Sequence, residues 1–508
     1  MTARWIAQLL DVYLPGLLSN SSPASPAELA AENTGPSLDQ PFTAVCTDSR
    51  KIIPGCLFVA IPGDVFDGHN FMEQAVQNGA TGVLCLEDRP APVFRSAHVF
   101  RVKDTQEAYR KISKAWRDRF QIPVICVAGS VGKTTTKELL AAILQGKWKQ
   151  EEILKTQGSQ NGYLGIPMTL LELKPSHQVA VIEVGIDEIG AMAKHLEIVR
   201  PTHCILTAIG PEHLEKLIDL KTVSREEVLS LQWVMKNGGT AVMNLDDEWV
   251  TPTLNEAGTS PTDKTFGVTL GTVAKKAGSF SKIKNKLTAK ISDDTSEIQF
   301  SGLGIDEANA KLLLPLPGKH NAVNLANAVA TALSVGLDFQ EIRAGLMRFQ
   351  AAYGRSEVKS FQDGSPVLCD YYNSNPSSVQ AGLDSLELIS KKSQPERMRW
   401  AVLGDMLELG KDEEKYHRDL ADLILRHRVE RVYLYGNRMK WLLNELEKRK
   451  GAFPKTFKHF GTHPDLADSL KSDLKARPAP VALMIKGSRG MKMEEVWKIL
   501  AADPELGG

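Results

Sequence analysis

The chain has 508 residues, enough for about three domains at roughly 150 residues each. Its 61 Lys plus Arg balance 61 Asp plus Glu, so it lacks the basic excess of a dedicated nucleic-acid binder. With 24% charged and 43% hydrophobic residues it reads as a folded globular protein, neither disordered nor membrane-embedded. The six cysteines are scattered without a CxxC pair, which suits free thiols in a reducing compartment. No uninterrupted apolar run nears the roughly 20 residues needed to span a bilayer, so a cytoplasmic protein is expected.

The start, MTARWIAQLLDVYLPGLL, imitates a signal peptide only loosely, because Asp11 interrupts the apolar run and Arg4 is the one basic residue before it. An amphipathic first helix is expected, then a flexible Ser/Pro/Ala/Asn insertion at about 19–40. AVCTDSRKIIPGCLFVAIPG alternates β-rich runs with turn residues, FMEQAVQNGA reads as a helix ending at Gly79, and GVLCLED and HVFRVKD read as strands. These make a small α/β domain over residues 1–110. IPVICVAG is a buried-strand run that passes through a Gly-rich turn into the helix KTTTKELLAAIL. VAVIEVG, HCILTAIG and GTAVMNL follow between helical patterns, which implies a parallel sheet covered on both faces. A Thr-, Ser-, Lys- and Gly-rich β excursion at 258–315 closes this second domain, 111–317. The third, 318–508, opens on the helix in GKHNAVNLANAVATALSVG and continues through strands at PVLCDYY, RWAVLGD, RVYLYG and APVALMIKG. The fold class expected is therefore α/β, with three consecutive α/β domains: a central P-loop parallel sheet and a Rossmann-like C-terminal domain among them.

The strongest chemical signal is Gly129-Ser130-Val131-Gly132-Lys133-Thr134-Thr135, set between an apolar strand and an amphipathic helix. Glycines let backbone amides close around phosphate oxygens, and a helix N-terminus adds partial positive charge. Lys133 is placed to reach the β- and γ-phosphates of ATP, and the Thr134 hydroxyl to ligate Mg²⁺. The spacing departs from GxxxxGK[ST] because position 127 is Val. The plainer alternative is a Gly-rich turn capping a helix; the Lys-Thr-Thr that follows argues against it. Glu183 ends VAVIE, and His213 and Glu215 follow HCILTAIGPE, so all three fall at strand ends of one sheet, where doubly wound folds bind ligands. Glu183 offers a hard oxygen to magnesium; His213 is a less usual magnesium ligand.

Taken in order, these segments resemble the Mur ligases, ATP-dependent amide-forming enzymes of peptidoglycan precursor synthesis, and within them the branch that adds a dipeptide. The resemblance covers nearly the whole chain. Thr47-Asp48-Ser49-Arg50 and Asp67-Gly68-His69-Asn70-Phe71 look like uridine-nucleotide segments, which makes Ser49, Arg50 and His69 substrate-binding. Asn161 in GSQNGYLG, Glu183 in IEVG, the HLE of 213–215 and Asn244-Leu245-Asp246-Asp247 match the centre. Gly318-Lys319-His320-Asn321 with Asn324, Gly354-Arg355 and Asp370 look like ATP contacts reaching in from the third domain. Asp370-Tyr371-Tyr372-Asn373-Ser374-Asn375-Pro376-Ser377-Ser378, VLGDMLELG and KGSRG look branch-specific, and the DNPR acceptor motif of the related branch is missing.

What the resemblance implies is an enzyme that joins D-alanyl-D-alanine to UDP-N-acetylmuramoyl-tripeptide, working as a monomer with ATP and Mg²⁺. Lys133, His213 and Arg225 would be catalytic; Thr134, Glu183 and His213 would hold the metal; Asn161, Asn373 and Asn375 would contact substrate. Asn373 and Asn375 read equally well as turn residues before Pro376. One departure matters: where the family places a carbamylated lysine after HLE, this chain aligns Arg225, with Lys221 one helical turn earlier. A guanidinium cannot carry a carbamate, so Arg225 is expected to contact the γ-phosphate or a neighbouring carboxylate directly. Two rival readings are a folylpolyglutamate-synthase-like ligase with another acceptor, and a P-loop switch or scaffold without ligase chemistry.

Overall fold

The computed structural model describes the chain except for residues 15–35, 64, 65, 91, 93, 272–276, 293–296, 393–395, 450–453, 478, 507 and 508. Most of the insertion expected at 19–40 thus lies outside the described residues. By packing the chain divides into two compact units: Met1–Ile122 with Gln160–His177 and Lys194–Arg200, and the remainder through Gly508.

The first unit carries a four-stranded, all-parallel sheet in the order Val45–Cys46, Leu57–Val59, Gly82–Leu86, His98–Val102. Successive residues of a strand face opposite sides. Leu57, Val59 and Leu84 accordingly pack with Ala3, Ile6, Ala108, Tyr109 and Ile112, while Phe58, Val83 and Cys85 pack with Met72 and Ala75. A boundary at residue 110 would cut the helix Thr105–Arg117, whose Ala108, Tyr109 and Ile112 belong to this core; the packing moves the boundary past the helix. Two buried guanidiniums tie in the later segments. Arg110 donates to the carbonyls of Tyr163 and Lys194, and Arg117 to those of Val199 and Arg200.

The second unit holds two sheets. The larger has nine strands in the order Lys311–Leu313, Glu297–Gly302, Asn285–Ile291, Thr265–Thr269, Thr240–Asn244, His203–Leu206, Val124–Ala128, Val179–Glu183, Ile153–Lys155. Only Glu297–Gly302 runs against the rest, pairing antiparallel with Lys311–Leu313 on one side and Asn285–Ile291 on the other. These three strands come from the β excursion, which extends the sheet. Val124–Ala128 and Val179–Glu183 are buried along their whole length, the physical reason for their unbroken apolar runs. The smaller sheet is Glu357–Ser360, Pro366–Asp370, Val481–Lys486, Met398–Gly404, Arg431–Tyr435, Thr456–Phe460, parallel except at its first strand. All six cysteines are free thiols. Among the described residues no helix is long and apolar enough to cross a membrane.

A boundary at 317/318 also needs correction. The helix Lys319–Ser334 packs against the helix Lys133–Leu144 and the nine-stranded sheet, burying Ala322, Leu325, Ala326 and Val329 beside Ile125, Leu140 and Ile143. Its alanines keep that face flat enough for close helix packing, so it completes the central core instead of opening the third block. Leu325→Ala, at a fully buried position, is expected to destabilise the protein by about 2–5 kcal/mol, read from chemical denaturation.

Candidate active site

Val124–Ala128 lies between His203–Leu206 on one side and Val179–Glu183 on the other, although the chain visits Ile153–Lys155 and Val179–Glu183 before His203–Leu206. The crossovers therefore diverge at its carboxyl end, the position where doubly wound sheets bind ligands. The loop Gly129–Gly132 leaves from there into the helix Lys133–Leu144. Gly129 and Gly132 take φ of 116° and 95°, and neither has room for a side chain. A Cβ on Gly129 would lie 2.3 Å from Thr207 Oγ1, and one on Gly132 2.5 Å from Asn324 Oδ1. Ser130 and Val131 donate their amides to the Ala208 carbonyl, and Thr207 Oγ1 donates to Val131 O. No side chain caps the helix, so the amides of its first turn face the loop as an anion site.

The charged groups converge here. Lys133 Nζ donates to Gly129 O at 2.6 Å and to Glu212 Oε2 at 3.2 Å. Burial alone would pull this ammonium down, but Glu212, Glu227 and Glu183 outweigh it and hold its pKa above the ordinary value. Thr134 Oγ1 donates to Glu183 Oε1 at 3.0 Å, and Glu183 Oε2 pairs with the fully buried Lys137 at 3.4 Å. Hydroxyl and carboxylate oxygens side by side are the hard donors that magnesium takes. His213 Nδ1 meets Glu408 Oε2 at 2.5 Å, and its Nε2 lies 3.7 Å from Glu212 Oε1.

Arg225 is the clearest correction. It is exposed and makes no hydrogen bond or ion pair among the described residues, and Lys221 on the same face pairs with Glu256. The residue of this helix (Leu220–Lys236) that reaches the loop is Glu227, whose Oε2 accepts from the Gly129 amide at 2.7 Å. Two residues along a helix turn the side chain by about 200°, so if Glu227 faces the loop Arg225 must face away. Burial pushes the Glu227 carboxyl up to about 7, against the pull of Lys133.

The other expected residues divide. Asn321 and Asn324 are buried and joined by a 3.2 Å hydrogen bond, with Asn324 against Gly132. Arg355 stacks over the Tyr372 ring at 4.3 Å, and its Nε is buried with no hydrogen-bond partner among the described residues. Asp370 is already engaged: Oδ1 accepts from Ser356 N and Oδ2 pairs with Lys486 at 2.5 Å. Asn375 caps the helix Pro376–Lys391 by accepting from Ser378 N, and Asn373 Oδ1 accepts from Ser374 N, so both carry the turn chemistry. Ser49, Arg50, His69 and Asn161 lie in the first unit. Arg50 pairs with Asp48, holding that carboxyl down to about 2, and Ser49 is buried. Both His69 nitrogens are used, Nδ1 against Asp67 at 2.6 Å and Nε2 accepting from Leu86 N, so this ring positions its turn.

Glu212, Glu227 and Lys137 were missed from the sequence. Charged residues amid apolar helix positions, as at Lys137 and Glu227, are the signal that marks them. The folded chain holds the Glu227 proton more tightly than the unfolded chain, so this group's contribution to stability is complete below about pH 4.5 and is lost as pH rises through about 7. Glu227→Gln is expected to lose less stability than wild type across that window, seen in paired thermal melts.

Three family profiles match the chain in order: "Mur ligase family, catalytic domain" over residues 41–117, "Mur ligase middle domain" over 127–332, and "Mur ligase, glutamate ligase domain" over 354–489. The UDP-N-acetylmuramoyl-tripeptide–D-alanyl-D-alanine ligase of Escherichia coli (strain K12) is 31% identical over 465 residues, covering 91% of this chain and 94% of its own. The enzyme of that name from Synechocystis sp. is 33% identical over 394 residues, 77% of this chain and 79% of its own. A crystal structure of MurF from Acinetobacter baumannii superposes with a TM-score of 0.79 at 25% identity, covering 98% of both chains.

Proposed function

The chain belongs to the Mur ligase family, and from that membership we propose that it is the ADP-forming ligase that adds D-alanyl-D-alanine to UDP-N-acetylmuramoyl-tripeptide. The observation that carries the reading is the phosphate loop itself: an uncapped helix start, Lys133 at its first position and the Thr134–Glu183 pair beside it. Joining a carboxylate to an amine is uphill in water, so the carboxylate must first be activated. ATP gives its γ-phosphoryl group to the terminal carboxylate of the tripeptide, leaving ADP and an acyl phosphate. The amine of D-alanyl-D-alanine attacks the acyl carbon, loses a proton, and expels inorganic phosphate as the amide forms.

Phosphoryl transfer asks the protein mainly for positioning and charge neutralisation. The amides of the first helical turn and Lys133 receive the phosphates, and Asn324, packed on Gly132, closes the loop's outer side. Thr134 and Glu183, together with His213, are the residues that would hold Mg²⁺, and the ion would supply neutralisation of phosphate charge. Arg355, near Asp370 and Lys486 and with its Nε unpartnered among the described residues, is the third block's cation for the nucleotide. The first unit takes the uridine nucleotide through the segments around Ser49, Arg50 and His69, and Asn161, with Asp67 and Asp48 shaping the turns. Three domains, a monomeric chain and a cytoplasmic location belong to the same reading.

A coupled phosphate-release assay over the four donor and acceptor combinations tests it. Phosphate is expected only with UDP-N-acetylmuramoyl-tripeptide and D-alanyl-D-alanine together; turnover with a folate and glutamate instead would overturn the substrate assignment. Lys133→Ala is expected to lower kcat by about 100-fold or more while leaving the fold intact, because it removes charge stabilisation from the transferring group.

A further inference from the structure

Resting on the reading that Lys133 serves the ATP phosphates, the arrangement of its present partners has a consequence for nucleotide affinity. A lysine ammonium has three donor hydrogens. Here they face three protein oxygens: Gly129 O at 2.6 Å, Ser130 O at 3.4 Å and Glu212 Oε2 at 3.2 Å. The side chains of Lys133 and Glu212 are only 10% and 15% exposed, so solvent and salt screen the pair little. The other nearby carboxylates are committed elsewhere. Glu227 accepts from the Gly129 amide, and Glu183 is held by Thr134 and Lys137. Among the described residues, Glu212 is therefore the carboxylate in contact with the ammonium. It is also held in place: its second oxygen lies 3.7 Å from His213 Nε2, and His213 is fixed through Nδ1 to Glu408.

We infer that Glu212 is an internal counter-ion for Lys133, which ATP phosphate must displace, so that Glu212 weakens nucleotide binding and eases the departure of ADP. The exchange moves no proton: an anion arriving at the first-turn amides takes the ammonium from one oxygen acceptor to another. On ADP release the carboxylate is already within reach to recapture it. Because the same position on the ammonium cannot serve both anions, the affinity for phosphate is reduced by whatever the Lys133–Glu212 contact contributes. Glu212 is thus a positioning residue that acts through Lys133, not a group that touches the reacting atoms.

Calorimetric titration of the full chain with ATP and with ADP, each with Mg²⁺, tests this in wild type, Glu212→Gln, Lys133→Met and the double variant. Glu212→Gln keeps the shape and removes the charge, and is expected to bind both nucleotides about tenfold tighter, the effect of about 1.4 kcal/mol. Lys133→Met is expected to bind them more weakly, and adding Glu212→Gln to it is expected to change nothing further. Equal or weaker binding by Glu212→Gln, or a tightening that persists without Lys133, would overturn the inference while leaving the phosphate loop assigned. Wild-type affinity in Lys133→Met would instead overturn the reading of the loop itself. If Glu212→Gln fails to fold by circular dichroism, Glu212→Asp, which shortens the reach of the carboxylate, is expected to shift affinity in the same direction by a smaller factor, and an unshifted value there counts against the inference.

Discussion

The chain leaves the buried central strand Val124–Ala128 at its carboxyl end and turns back over the sheet, and the hydrogen bonds of that reversal set the geometry of the site. Ser130 and Val131 bond to Ala208, Thr207 to Val131, and Gly129 to Glu227. Each contact fixes the loop to an element that follows His203–Leu206 in the chain, so the loop's shape depends on a strand about 80 residues downstream. Two glycines with positive φ permit the reversal, and steric contact with Thr207 and Asn324 excludes any side chain at either. The first turn of the helix Lys133–Leu144 is left without a side-chain cap.

Around that turn the protein buries an unusual amount of charge, and each ion has a partner. Lys133 faces Glu212, Lys137 faces Glu183 and Glu138, and Glu227 faces a backbone amide. An unpaired ion in this setting would cost several kcal/mol, and a paired one in good geometry roughly breaks even. Such a cluster contributes little net stability; its value is positional. Lys137 anchors the carboxylate of Glu183 from below, which leaves the other oxygen on Thr134, and this is how a helix interior lysine contributes to the site without reaching it.

The second unit's central core explains why the parts of the site stay in register. The helices Lys133–Leu144 and Lys319–Ser334 share one apolar cluster on the sheet, and their N-terminal ends carry Lys133 and Asn321 with Asn324. Close packing of Ala322, Ala326 and Val329 sets their spacing, and that spacing brings Asn324 onto Gly132. A residue in this core therefore acts on the nucleotide side of the protein through helix position alone.

From the sequence by itself came the α/β class, the buried central strands, the phosphate loop with Lys133 and Thr134, and Glu183 at a strand end. Each is local: an apolar run five residues long, glycines where a turn needs positive φ, and a strand followed directly by a helix are all written in adjacent residues. The polar edge strands Glu357–Ser360 and Thr456–Phe460 escaped because a strand that is half exposed carries little hydrophobic signal. The domain boundaries went astray for a different reason. Thr105–Arg117 and Lys319–Ser334 are amphipathic wherever they pack, and only the assembled cores decide which sheet receives their apolar faces. The same holds for the charges: two positions along the helix Leu220–Lys236 separate an exposed Arg225 from a buried Glu227. Which acid faces Lys133 was decided by tertiary structure, since it depends on where separate strands deliver their ends.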